Sequence, residues 1–156
     1  AFNIPTSERE QSKKEVGGDK YRHIEMKYIC QETVLTHKKA KKEYWAMMGD
    51  YNAVSRVDNV KYGNPEDSPA FLVHDYIMDE TPYKDVIKEF YPDSVISTTG
   101  GGRRIDFIYT TPALLKKATH ATIVRDAYPA PVRNAQKISN FWHPSDHSPI
   151  IVDFKF

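Results

Sequence analysis

The pattern of apolar and polar positions predicts short strands interleaved with helices, the signature of a mixed domain. Tyr44-Trp45-Ala46-Met47-Met48 reads as a short strand that breaks at Gly49. Ser94 to Ser97 and Arg104 to Thr110 read as a hairpin around Thr99-Gly100-Gly101-Gly102, and Thr119 to Arg125 as a further strand. The run Ile150 to Phe156 is apolar and β-branched enough to be a buried strand. Helical spacing of Ile24, Tyr28, Ile29, Val34 and Leu35 predicts a helix from Tyr21, with Asp19 as its cap and Lys38 to Lys42 as its cationic C-terminal end. Thr81-Pro82 predicts the entry of a second helix over Tyr83 to Phe90, stopped by Pro92. Pro112 to Lys117 reads as a helical turn. Phe71 to Met78 is apolar and ordered, and helix and strand fit it equally. Ala1 to Pro5 reads as a strand end, while Thr6 to Asp19, Val54 to Pro69 and Ala127 to Asn140 read as loops. The chain shows no internal repeat and no low-complexity segment. The fold class expected is α+β.

Length and composition narrow this picture. A chain of 156 residues is the size of one domain, and 40% hydrophobic residues are enough for a packed core. No apolar run approaches the length of a membrane span, and Ala1 to Glu15 lacks a signal-peptide layout. The net charge is +1, divided between a balance of +3 in residues 1–43 and −2 in residues 44–156. That is a weak footprint for a dedicated nucleic-acid binder. The lysine run reads better as a solvated helix end. Cys30 is the single cysteine, which excludes an internal disulfide and any zinc site built from cysteines.

Three stretches place a carboxylate at or in an apolar strand. Trp142 to Pro149 sets Asp146 and His147 side by side between two prolines, ahead of the last strand. An acid–imidazole pair there can hold a metal or move a proton, although a solvated turn is the commoner role for such a pair. In Gly49-Asp50-Tyr51-Asn52 the two polar side chains share a face of extended backbone. A carboxylate beside a carboxamide suits phosphate hydrolysis, the Asp orienting water and the Asn donating to a phosphoryl oxygen. An Asx turn after a strand explains the same residues equally well. Asp106 interrupts Ile105-Phe107-Ile108-Tyr109, and a carboxylate in a buried strand is costly unless paired. Arg103 or Arg104 can pair with it. An imidazole is the more useful partner, because a carboxylate that fixes the tautomer of His147 makes a competent acid or base. Asp146 is then left to bind a hard divalent cation.

The remaining candidates weigh less. The Thr99 to Arg104 stretch precedes a strand and lacks the ending of a phosphate loop, so a hairpin tip is the better reading. Ser145, Asp146 and His147 are consecutive and cannot converge as a triad. His23 and His37 read as surface residues. Phe141 and Trp142 fit a substrate groove and a core anchor equally.

In order, Gly49-Asp50-Tyr51-Asn52, Arg104-Ile105-Asp106-Phe107-Ile108-Tyr109 and Ser145-Asp146-His147-Ser148-Pro149 resemble the endonuclease/exonuclease/phosphatase superfamily, the DNase I-like fold. The resemblance covers residues 20–156 and corresponds to the C-terminal half of that family's domain. It implies half of a four-layer α/β sandwich, with residues 1–156 forming one part and the N-terminal half outside this chain. It also implies a divalent metal, Mg²⁺ or else Mn²⁺ or Ca²⁺, held with the help of Asp146. Asp50 and Asn52 would activate water and contact phosphate, and Asp106 would orient His147. Tyr51 stands where the family more often has Phe. The activity implied is metal-dependent hydrolysis of a phosphodiester or phosphomonoester, the substrate being nucleic acid, a phospholipid head group or a sugar phosphate. The implied partner is a complementary N-terminal half. The competing reading is a non-catalytic half-domain, an interaction module that pairs with another chain.

Overall fold

A computed structural model describes residues 18–124 and 147–156. The expectations for Ala1 to Gly17 and for Ala127 to Asn140 lie outside those residues, as do Phe141, Trp142, Ser145 and Asp146. Helix α1 spans Gly18–Glu32, followed by β1 (Ala46–Asp50), the four-residue α2 (Asn59–Tyr62) and α3 (Leu72–Glu80). Then come β2 (Lys84–Asp85), α4 (Val86–Phe90), β3 (Asp106–Thr110), α5 (Pro112–Leu115), β4 (Ala118–Ile123) and β5 (Ile150–Phe154). Helices and strands alternate, as the α+β expectation has it. No helix among the described residues is long and apolar enough to cross a membrane.

The strand β3 lies at the centre. It pairs antiparallel with β1 through a register running from Ala46 opposite Thr110 to Asp50 opposite Asp106. On its other side β2 pairs with its end, Lys84 opposite Thr110 and Asp85 opposite Tyr109. A second, two-stranded antiparallel sheet joins β4 to β5. Because side chains alternate along a strand, Phe107 and Tyr109 face one way and Asp106 and Ile108 the other. The first face closes over α1 and α3, packing Phe107 and Tyr109 against Met26, Cys30, Val73 and Ile77. The second carries Ile108 into a cluster with Val86, Ile87, Ala121 and Ile123. Each fully buried side chain of this kind contributes on the order of 1.5–3 kcal/mol.

Several expected elements are displaced, for local reasons. The face of α1 that packs inward is Met26 and Cys30, whereas Ile24 and Tyr28 are 60% and 65% exposed. Apolar residues two positions apart lie on opposite sides of a helix, so both stripes satisfy the period. The helix begins at Gly18, which places Asp19 in its first turn, ion-paired with Arg22. It ends at Glu32, where the Thr33 hydroxyl donates to the Ile29 carbonyl at 2.6 Å. The lysine run lies beyond it, at and around a 3-10 turn over Ala40–Lys42, so it caps no helix. Gly49 does not break β1; at φ 150° it carries the strand on to Asp50.

Phe71 to Met78 resolves as helix, Phe71 ending a 3-10 turn and Leu72 to Met78 lying in α3. Thr81 ends that helix, its hydroxyl donating to the Ile77 carbonyl at 2.6 Å, and Asp85 is the residue that caps α4. No strand forms over Ser94 to Ser97. The glycine tip is a closed turn, with Thr98 and Thr99 amides donating to the Arg103 carbonyl at 3.0 and 3.1 Å. Strand β5 is not buried on both faces, since Ile151 is 45% exposed and Asp153 is exposed.

Beneath β3 a polar cluster is sealed from water. Arg104 is fully buried between two buried carboxylates, its Nε 2.7 Å from Asp58 and its Nη1 2.7 Å from Asp85. Lys88 reaches the other oxygen of Asp58 at 2.7 Å. Two cations thus meet two anions, and the guanidinium also lies 4.5 Å from the centre of the Phe107 ring. Arg104 is engaged here and does not pair with Asp106.

Candidate active site

The ends of three strands build the site. Asp50 is the last residue of β1, Asp106 the first of β3, and the register sets them opposite one another on one face. His147 comes from the run-in to β5, held by an isolated bridge to Thr99. Its Nδ1 lies 2.9 and 3.0 Å from the two carboxylate oxygens of Asp106. The carboxylate accepts at that distance, so Nδ1 carries the proton and the ring's further chemistry falls to Nε2.

Asp50 has a different partner. Its oxygens accept from the Asn52 backbone amide at 2.8 Å and the Asn52 side-chain amide at 3.0 Å. Asn52 is in the left-handed region at φ 46°, which Asn tolerates better than most residues. The expectation that Asp50 and Asn52 share a face of extended backbone is therefore corrected: a turn brings them together. Asn52 is exposed, and its carboxamide is committed to Asp50 in this state.

The backbone below is held firmly. The Tyr51 amide donates to the Ile105 carbonyl at 2.9 Å, extending the β1–β3 pairing past Asp50. The Tyr51 ring is buried, edge-on to Phe107 at 5.8 Å and to Tyr109 at 5.2 Å. His74 packs on the Phe107 ring at 5.1 Å and sits 2.7 Å from the Tyr109 hydroxyl. Its burial holds its pKa down at about 3, so it is a neutral packing group at ordinary pH. These aromatic residues hold Asp50 and Asp106 from beneath.

A cleft of about 380 Å³ opens beside the acidic groups, walled by Met48, Ile108, Pro149 and Ile150. Asp50, Asp106 and His147 offer ligand atoms that all lie within 4.8 Å of one another. Carboxylate oxygens suit a hard divalent cation. The Asp106 oxygens already serve His147, however, and such a cation wants about six oxygens. Among the described residues the set thus fits one side of a cation site and not a complete cage.

The structure brings Asp50, Asn52, Asp106 and His147 to one strand-end site; Asp146 lies outside the described residues. His23 lies on α1, half-buried, its ring edge-on to Tyr76, and His37 is 3.2 Å from Glu43; neither joins the site. The glycine turn uses two of its amides internally, Gly102 on the Thr99 carbonyl and Arg103 on the Thr99 hydroxyl. Sequence reading passed over Thr98, which is fully buried against Asp106. Its only signal is a hydroxyl residue two positions before the glycines.

No family model matches the chain, and no curated protein matches it. Among solved structures it is similar to an AP endonuclease from Archaeoglobus fulgidus, with a TM-score of 0.63 at 18% identity. The match covers 88% of this chain and 55% of the endonuclease chain. What the likeness shows is the fold.

Proposed function

We propose that this chain carries the acid–imidazole side of a phosphoester-hydrolysing site that uses a divalent metal. The observation that carries the reading is the 2.9 Å contact between His147 Nδ1 and Asp106, made beside Asp50 at the mouth of a cleft. A carboxylate in that position fixes the imidazole tautomer and orientation, so that Nε2 can face and stabilise a phosphoryl oxygen. Asp50 would orient or deprotonate the attacking water, and Asn52 would turn its amide from Asp50 toward phosphate. Asp146 and Asp50 would help hold the cation, Mg²⁺ or else Mn²⁺ or Ca²⁺, which supplies neutralisation of the charge developing on phosphorus.

The similar structure is an AP endonuclease, which supports nucleic acid as the first substrate class to try. The chain spans 55% of that neighbour, and Met48 stands 66% exposed at the cleft wall. We therefore read residues 1–156 as the C-terminal part of a DNase I-like sandwich. A complementary segment, from the same polypeptide or another, would complete both the cleft and the cation site. The same exposed face favours a second reading, a non-catalytic half-domain that pairs with another chain.

One experiment separates them. Turnover of bis-p-nitrophenyl phosphate and of a DNA duplex is measured with and without Mg²⁺ for wild type and His147→Ala, beside the intact mass of the sample. Metal-dependent turnover that the substitution abolishes, by about 10²–10⁴-fold for a general acid–base group, supports the hydrolase. Equal turnover in both proteins, with a complementary chain present, sinks it in favour of the pairing module.

A further inference from the structure

We propose that Thr98 is the positioning residue of the Asp106–His147 pair. The inference rests on the reading above only for its kinetic consequence. Thr98 is fully buried and bonds the backbone of Asp106 and that of Ser148, the residue after His147, through different atoms. Its hydroxyl oxygen accepts from the Ile105 amide at 3.1 Å and from the Asp106 amide at 3.2 Å. Its carbonyl accepts from the Ser148 amide at 2.7 Å, and the neighbouring Thr99 bridges His147. Its own amide is anchored on the Arg103 carbonyl at 3.0 Å, across the glycine turn.

The consequence is geometric. Asp106 and His147 are 41 residues apart, and Thr98 bonds the backbone at Asp106 and at Ser148, next to His147. The Tyr51-to-Ile105 bond flanks the Asp50–Asp106 pair, so the Asp106 amide points away from β1, and the Thr98 hydroxyl accepts from it there. Val matches Thr in shape and lacks the acceptor, leaving two partly buried N–H groups without that bond. Ser keeps the acceptor. A shift of about 1 Å at Asp106 is enough to cost roughly a hundredfold in a well-aligned reaction.

The test compares Thr98→Val, Thr98→Ser and wild type by ¹⁵N NMR of the His147 ring, at a pH where the ring is neutral. Wild type and T98S are expected in the Nδ1–H form that the carboxylate enforces, and T98V with a large share of the Nε2–H form. Kinetics on bis-p-nitrophenyl phosphate are then expected to show kcat for T98V lowered about ten- to a hundredfold with KM little changed, and T98S near wild type. A T98V ring locked in the wild-type tautomer overturns the proposal. Should T98V fail to fold, amide exchange in wild type decides: Ile105, Asp106 and Ser148 are expected to exchange slowly and together, and rapid exchange at Asp106 beside a protected Phe107 overturns it. If wild type hydrolyses nothing, the hydrolase reading fails while the tautomer result still judges Thr98.

Discussion

Replacing Arg104 with Met isolates what the buried ion cluster does for the fold. Met has nearly the same volume and keeps contact with the Phe107 ring, so little of the loss comes from packing. In wild type Arg104 and Lys88 balance Asp58 and Asp85, all at ion-pair distances of 2.7 Å. After substitution Asp58 keeps Lys88, and Asp85 loses its cation while remaining 2% exposed. Removing one partner from a buried pair costs about 3–5 kcal/mol. The retained Lys88 argues for the lower end, about 3 kcal/mol, or a fall in Tm of roughly 6–12 °C for a domain of this size.

The pH dependence gives the sharper check. Burial already raises the Asp85 carboxyl above its ordinary value, with Arg104 the main opposing influence. Without Arg104 the folded-state pKa rises further above the unfolded one. A group of that kind binds its proton more tightly in the folded protein, so the mutant regains stability as pH falls through the raised value. Urea unfolding followed by far-UV circular dichroism at pH 7.5 and 5 measures it. The deficit of R104M relative to wild type is expected to shrink at pH 5, and Asp85→Asn in the R104M background to recover most of it at pH 7.5. A deficit below about 1 kcal/mol that ignores both pH and D85N would refute the reasoning.

Two further outcomes are expected. Asp106→Asn leaves an amide opposite His147 Nδ1 in place of the carboxylate that fixes the ring's tautomer, so kcat is expected to fall about 10²–10⁴-fold with Tm shifted by only a few degrees; activity and thermal melts on the same samples decide. His74 is neutral in the fold with its pKa held at about 3 by burial, whereas the unfolded chain takes up a proton near 6.5. Its contribution is therefore complete above pH 6.5 and is lost as pH falls toward 3, about 2 kcal/mol of it by pH 5. His74→Phe is expected to flatten that stretch of the stability–pH curve, and an unchanged slope would show that other groups set it.

What the sequence made legible follows from local chemistry. The β3 strand, the helical turn at Pro112 and the placement of Asp106 near His147 were readable because apolar runs and motif order carry them. The inward face of α1 was not, because Met26 and Cys30 compete with Ile24 and Tyr28 for the same period and tertiary packing chooses between them. Thr81-Pro82 looks like a helix entry, but Asp85 accepts from the Lys88 amide and claims the cap. Arg104 near Asp106 in sequence suggested a pair, yet Arg104 lies ahead of β3, and its side chain turns to the buried Asp58 and Asp85. The turn at Asn52 was legible only as one of two equal readings, because it depends on side-chain bonds to Asp50 that no periodicity records.

The strand-end geometry also bears on how the molecule assembles. Asp50, Asp106 and His147 come from segments separated by dozens of residues, and none of them neighbours another until β1 and β3 have zipped in register and β5's run-in has docked against Thr98 and Thr99. Loop closure over such separations carries its entropy cost before any contact repays it, which makes these pairings slow relative to helix formation. The helix α1 is local and can form early; the acid–imidazole pair belongs to the closing stages. A partly folded chain would thus show helical content without the constellation, and chemical competence becomes a readout of completed topology.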